Sequence, residues 1–139
     1  MGLVHADIEM INSGDLAVSR RGFIPQDKVR RMTITALVHC GAYMMGINEE
    51  INAQLGLPKV EERLAEYTDG SLHSLDVVGP VEIRFSNRRT VAYAMVLPGN
   101  SEPLLGTIPR EDMDLVIDPK SQRLIVDPTM PCISRKSMK

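Results

Sequence analysis

Apolar side chains recur at every second position along most of this chain, and that period constrains the fold more than any single motif. Val4, Ala6, Ile8 and Met10 share one face of an extended strand. Met32, Ile34, Ala36 and Val38 share one face of another, with Thr33 and Thr35 opposite. Val81, Ile83 and Phe85 alternate again, Ser86-Asn87-Arg88-Arg89 turns, and Val91, Tyr93, Met95 and Leu97 return antiparallel. Asn12-Ser13-Gly14-Asp15, Gly79-Pro80 and Pro98-Gly99-Asn100 break these runs. Residues 15–27 are polar and irregular and are expected as a loop or strand edge.

Elsewhere the period changes. Asn48 suits a helix N-cap, Glu49 and Glu50 a negatively charged first turn, and Ile51 and Leu55 one helix face, with Gly56-Leu57-Pro58 closing it. Residues 60–67 and 71–78 flank Asp69-Gly70, a dipeptide that favours a type I′ turn, so this stretch reads as a long hairpin. Pro103-Leu104-Leu105-Gly106 reads as a short buried strand. Pro109 suits the first turn of a second short helix, with Glu111 and Asp112 at its positive end. Val116-Ile117-Asp118-Pro119 then reads as strand and turn, and Arg123–Asp127 as the last strand, ended by Pro128 and Pro131. The expected class is mostly β, one domain, with two short helices: a compact barrel.

With 16 basic and 18 acidic side chains, no strong field points to nucleic acid or an anionic membrane. No run approaches the roughly 18–20 apolar residues of a membrane span. With no Trp, two Phe and three Tyr, the core must be built from aliphatic residues and nine Met, which argues against a base-stacking platform. The start, Met1-Gly2-Leu3-Val4-His5-Ala6-Asp7, meets a charge too early for a signal peptide, and Ala6 denies Gly2 a myristoylation context. Cys40 and Cys132 form no CxxC pair. A soluble, cytoplasmic protein with reduced thiols is the expectation. Residues 129–139 form a tail whose basic end, Ser134–Lys139, is expected to fray.

The stretch Ala36-Leu37-Val38-His39-Cys40-Gly41-Ala42 breaks the alternation with a polar pair and a Gly-Ala turn, before a second apolar run, Met44-Met45-Gly46-Ile47. Together with the Thr68-Asp69-Gly70 hairpin tip before Gly79-Pro80-Val81-Glu82-Ile83, and with Leu104-Leu105-Gly106 before Ile108–Pro119, it resembles the retropepsin-like aspartic proteases. The likeness is to their small bacterial single-domain members, and spans about residues 3–128. The resemblance implies a closed β-barrel over residues 1–128 with a flap hairpin. It also implies a homodimer whose two-fold axis pairs the loops, and a peptide in the cleft. It places His39, Cys40 and Gly41 at the catalytic Asp-Thr-Gly, and Ala42, Thr68, Asp69 and Gly70 against substrate.

His39 therefore stands where the family keeps its acid. Two carboxylates close together share one proton, one serving as base toward water and the other as acid toward the scissile carbonyl. An imidazole accepts a proton near about pH 6.5, but it is larger and its charged form is positive. Cys40 replaces a threonine hydroxyl with a much weaker hydrogen-bonding thiol. The expectation is a member of the aspartic peptidase family with impaired or absent hydrolysis that binds peptides. A hydrolase using His39 across a dimer, with or without a metal ion, is the alternative, and a structural dimerisation module a third.

His39 and Cys40 from two subunits would offer zinc four ligands, but neighbours in extended chain point to opposite sides. No cofactor is expected. The same alternation separates a Cys40–His39 nucleophilic pair. Asp112, Asp114 and Asp118 read as helix-dipole partners and a turn former, and Asp69 as a turn residue. His5 and His73 are expected to face solvent or a hydrogen-bond partner rather than a metal. Arg30-Arg31 and Arg88-Arg89 read as solvated strand edges or turns, and Cys132 as a free thiol.

Overall fold

The computed structural model describes residues 3–138, so the readings made at Met1, Gly2 and Lys139 lie outside the described residues. β1 (His5–Asn12) pairs antiparallel with β2 (Arg31–Val38), Ile8 opposite Ile34. Between them lies the first correction. Ser13–Arg20 is an α-helix, α1, where a loop was expected, followed by one 3-10 turn at Gln26–Lys28. Asn12 caps α1 by accepting the Asp15 N–H at 3.0 Å, and its Nδ2 donates to the Leu55 carbonyl at 2.8 Å. Leu16 is the one buried side chain of α1; with Ile11 and Val29 it forms a small outer core. So little apolar surface leaves almost no helical period in the sequence.

β3 (Met45–Asn48) leads into α2 (Glu49–Leu55), capped by the Asn48 side chain on the Ile51 N–H at 2.9 Å and closed by Gly56 at φ 61. β4 (Lys59–Glu66) and β5 (Leu72–Phe85) form the long hairpin. Its tip is not the expected type I′ turn. The Gly70 N–H donates to the Tyr67 carbonyl, the Tyr67 N–H to the Ser71 carbonyl, and of Thr68, Asp69 and Gly70 only Gly70 has positive φ, at 83. Type I′ needs positive φ at both central residues; a three-residue loop ending in left-handed glycine needs one.

Gly79-Pro80 bends β5 rather than ending it. The β5–β6 register shifts between Val78 and Val81, and the peptide is cis. Gly79 sits at φ 142, where a Cβ would lie 2.9 Å from the Tyr93 ring, so glycine lets one strand continue through the bulge.

β6 (Arg88–Leu97) returns antiparallel to β5, and β7 (Leu104–Leu105) follows. In α3 (Thr107–Asp112) Glu111 and Asp112 fall in the last turn rather than the first, because the helix begins before Pro109. β8 (Leu115–Asp118) and β9 (Arg123–Val126) make a separate two-stranded sheet.

The large sheet runs β1-β2-β7-β3-β6-β5-β4, and β1 also pairs β5. The hydrogen-bonded order thus returns to its first strand, and β4 hangs outside that circuit on the far side of β5. One aliphatic core fills the circuit, including Ile8, Met10, Met45, Ile83, Leu105 and Met113. The fold is mostly β and one domain, as the alternation implied.

Two charged regions depart from expectation. Arg88 is buried, its Nη2 donating to the Met130 carbonyl, while Arg89 and Arg84 bind the buried Glu82 carboxylate at 3.1 and 2.6 Å. The tail, expected to fray, is tied down. Asn87 donates to the Pro131 carbonyl at 2.9 Å, and Asp114 accepts from the Ser134 hydroxyl, the Arg135 N–H and Lys136. The Ser134 hydroxyl, then Lys136, hold the Asp114 carboxyl down to about 2.

Candidate functional site

The loop between β2 and β3, residues 39–44, is fixed by a strand that comes much later in the chain, β7. β7 lies between β2 and β3, parallel to β2 (Leu37 beside Leu104, Val38 beside Leu105) and antiparallel to β3 (Gly46 beside Leu104). The His39 N–H donates to the Leu105 carbonyl at 3.2 Å. The Thr107 and Ile108 N–H groups, at the start of α3, donate to the Ala42 and Tyr43 carbonyls at 2.8 and 3.1 Å. The Thr107 hydroxyl donates to the Cys40 carbonyl at 3.2 Å. These are the first-turn donors a helix leaves unpaired, spent here on the loop. A Cβ on Gly106 would lie 2.1 Å from the Met44 carbonyl oxygen, so the two segments meet backbone to backbone.

Within the loop, His39 Nδ1 accepts the Gly41 N–H at 2.9 Å, and the His39 carbonyl accepts the Ala42 N–H at 3.1 Å. The ring lies over Gly41, where a Cβ would stand 2.7 Å from Cε1. An Asp or Asn side chain accepts from the N–H two residues on in the same way. Because Nδ1 is the acceptor, the neutral ring carries its proton on Nε2 and offers a donor there.

A cavity of about 590 Å³ separates this loop from the β4–β5 hairpin. His39, Gly41 and Ala42 line one side, Leu64, Tyr67 and Thr68 the other. Thr68 therefore reaches the cleft, while Cys40, Asp69 and Gly70 do not line it. Cys40 and Cys132 are exposed free thiols. Asp69 is held below the usual carboxylate range by the Ser71 hydroxyl and N–H, as a turn residue.

No family model matches the chain, and neither does any curated protein.

The remaining candidates are structural. Asp112 accepts the Thr90 hydroxyl at 2.6 Å, and Asp118 accepts from Lys120 and Ser121 in its turn. His5 pairs with Glu102 at 2.6 Å, and His73 stacks on Tyr67 with 4.1 Å between ring centres. Among the described residues no three His, Cys, Asp or Glu groups gather as one metal site. Sequence reasoning missed Arg63, whose Nη1 reaches Met44 Sδ at 3.7 Å and bridges hairpin to loop, and Thr107, which ties down Cys40. Thr107 follows the Leu-Leu-Gly signature directly, so its position pointed to the loop. Arg63 lies in a charged strand that offered no signal.

Proposed function

We propose that this chain is a retropepsin-like member of the aspartic peptidase family. Its strand circuit is that family's closed barrel, and the β4–β5 hairpin its flap. It acts as a homodimer that holds an extended peptide, with standard hydrolysis impaired or absent. One observation carries this reading. The three segments on which the resemblance rests meet around one cleft: the 39–42 loop and Leu104–Ile108 hydrogen-bonded together, and the hairpin across from them.

His39 keeps the local turn that an aspartate would make and loses the acid. Its Nδ1 is occupied by Gly41, so the ring nitrogen left for a ligand is the Nε2 N–H. That group donates to a peptide carbonyl; it does not take a proton from water. Without a carboxylate pair sharing one proton, the cleft binds better than it cleaves.

The test incubates purified protein with unfolded peptides. No cleavage is expected from the unmodified chain, and cleavage is expected from the double variant His39→Asp, Cys40→Thr. Cleavage by the unmodified chain, unaffected by a pepstatin-like inhibitor, would overturn the reading in favour of a hydrolase that uses His39. A chain that stays monomeric at micromolar concentration would remove the dimer.

A further inference from the structure

The outer face of the large sheet, turned away from the aliphatic core, carries three arginines across the neighbouring strands β2, β1, β5 and β6. The registers set Glu9, Arg84 and Arg89 in one cross-strand row, and Arg31, Ile11 and Glu82 in the next. Arg84 and Arg89 thus stand directly opposite each other on β5 and β6, where like charges repel. Glu82 holds them together. It is 2% exposed, its Oε2 accepts Arg84 Nε at 2.6 Å, and its Oε1 accepts Arg89 Nη1 at 3.1 Å.

A carboxylate in a bidentate pair spends both oxygens on one guanidinium. Here the two oxygens are divided between two arginines, so each arginine keeps a whole two-nitrogen edge: Nη1 and Nη2 on Arg84, Nε and Nη2 on Arg89. Among the described residues these nitrogens have no partner. Both side chains reach solvent, at 36% and 61% exposure. Nor do the charges cancel. Arg31 and Glu9 offset each other at 3.8 Å, and Glu82 offsets one of the two remaining arginines. One positive charge is left, spread over two open forks.

We infer that Arg84 and Arg89 bind a phosphate group, with Glu82 as the residue that positions them. Planar guanidinium edges match the spacing of phosphate oxygens, and a tetrahedral anion has oxygens enough for both edges at once. A buried ion pair adds little stability over apolar packing, and the fully buried Ile11 beside Glu82 shows that apolar packing is available on this face. What the buried carboxylate supplies is order: two long side chains lose less freedom on binding when both are already held. The hairpin end is fixed too, with Phe85 paired to Arg88 and Asn87 donating to the Pro131 carbonyl at 2.9 Å. The phosphate is a free ion or a monoester on a larger ligand, and the recognition chemistry is the same. The site needs neither the cleft beside His39 nor the dimer.

The experiment titrates the nitrogen-15-labelled full chain near neutral pH with sodium phosphate, with O-phosphoserine, and with sodium chloride at matched ionic strength. It follows the amide signals of residues 82–91 and the Nε–H signals of Arg84 and Arg89. Saturable shifts at those signals are expected with phosphate and O-phosphoserine and not with chloride; the tighter of the two names the source, free ion or monoester. Arg84→Gln, and independently Arg89→Gln, should each weaken binding at least about tenfold. Lys120→Gln, which removes the same charge from the turn between β8 and β9, should leave it unchanged. Glu82→Gln makes the local charge more positive yet should weaken binding, because the two forks lose their common partner; tighter binding would overturn the positioning role. Circular dichroism checks each fold. Equal shifts with chloride, a failure to saturate, or binding that survives both arginine variants would overturn the site and leave a solvated ion-pair network.

Discussion

Gly106→Ala tests the interlock between the 39–44 loop and the start of α3 most directly. Gly106 has φ −80, so alanine meets no backbone strain there, and any cost is steric. The new Cβ would lie 2.1 Å from the Met44 oxygen, 2.6 Å from its carbonyl carbon and 2.9 Å from the Tyr43 oxygen; real Cβ atoms essentially never come under 3.0 Å. All three contacts are backbone, so no rotamer relieves them. The 42–44 segment must move off, stretching the Thr107 and Ile108 N–H bonds to Ala42 and Tyr43. Overpacking costs about 1–3 kcal/mol and each lost bond about 0.5–1.5, giving about 2–6 kcal/mol. That is a large part of the roughly 5–15 kcal/mol a domain has. Urea denaturation measures it, with Gly22→Ala as control. Gly22 has φ 82 and nothing within 4 Å of a Cβ, so it should lose only the left-handed strain of about 1–2 kcal/mol. A loss under about 1 kcal/mol for Gly106→Ala would refute the close approach.

Two further outcomes follow from hydrogen bonds to His39 and to Asp15. His39→Asn should keep near wild-type stability, because its side-chain oxygen can accept the Gly41 N–H, whereas His39→Leu should lose about 0.5–1.5 kcal/mol in the same denaturation assay. The Arg30 side chain, which bonds Asp15 at 2.8 Å, holds the Asp15 carboxyl below its ordinary 3.8. A depressed carboxyl contributes stability above its unfolded pKa and loses it as pH falls through the folded one. The stability gap between wild type and Asp15→Asn should therefore be constant above about pH 5 and close below pH 3.8.

What the sequence made legible follows burial. Strands β1 and β2 bury mainly one face, so their alternation survives in the residues and reads directly, whereas in β6 the apolar Val91 and Tyr93 are exposed and the core side is Thr90, Ala92 and Ala94. The caps at Asn48 and Gly56 are local chemistry and read equally well. Helix α1 escaped because it rests on Leu16, the Asn12 cap and the Asp15–Arg30 pair, none of which makes a period. Buried Arg88 escaped because its partner carbonyl arrives from the tail. At the site, the His39 loop and the hairpin were visible as motifs. Their separation by a cleft and the Arg63–Met44 bridge are tertiary facts that no local pattern encodes.

The insertion of β7 between β2 and β3 also orders events in time. Those two strands are consecutive in the chain, yet their shared neighbour is made much later: Thr107 and Cys40, bonded across the loop, lie 67 residues apart. Contacts of such separation form late, after the entropy of closing the intervening chain has been met. During synthesis, β2 and β3 therefore wait with open edges until Leu104 and Leu105 leave the ribosome. A nascent chain stopped short of Pro103 holds every residue of the His39 loop and none of the backbone bonds that β7 and α3 give it.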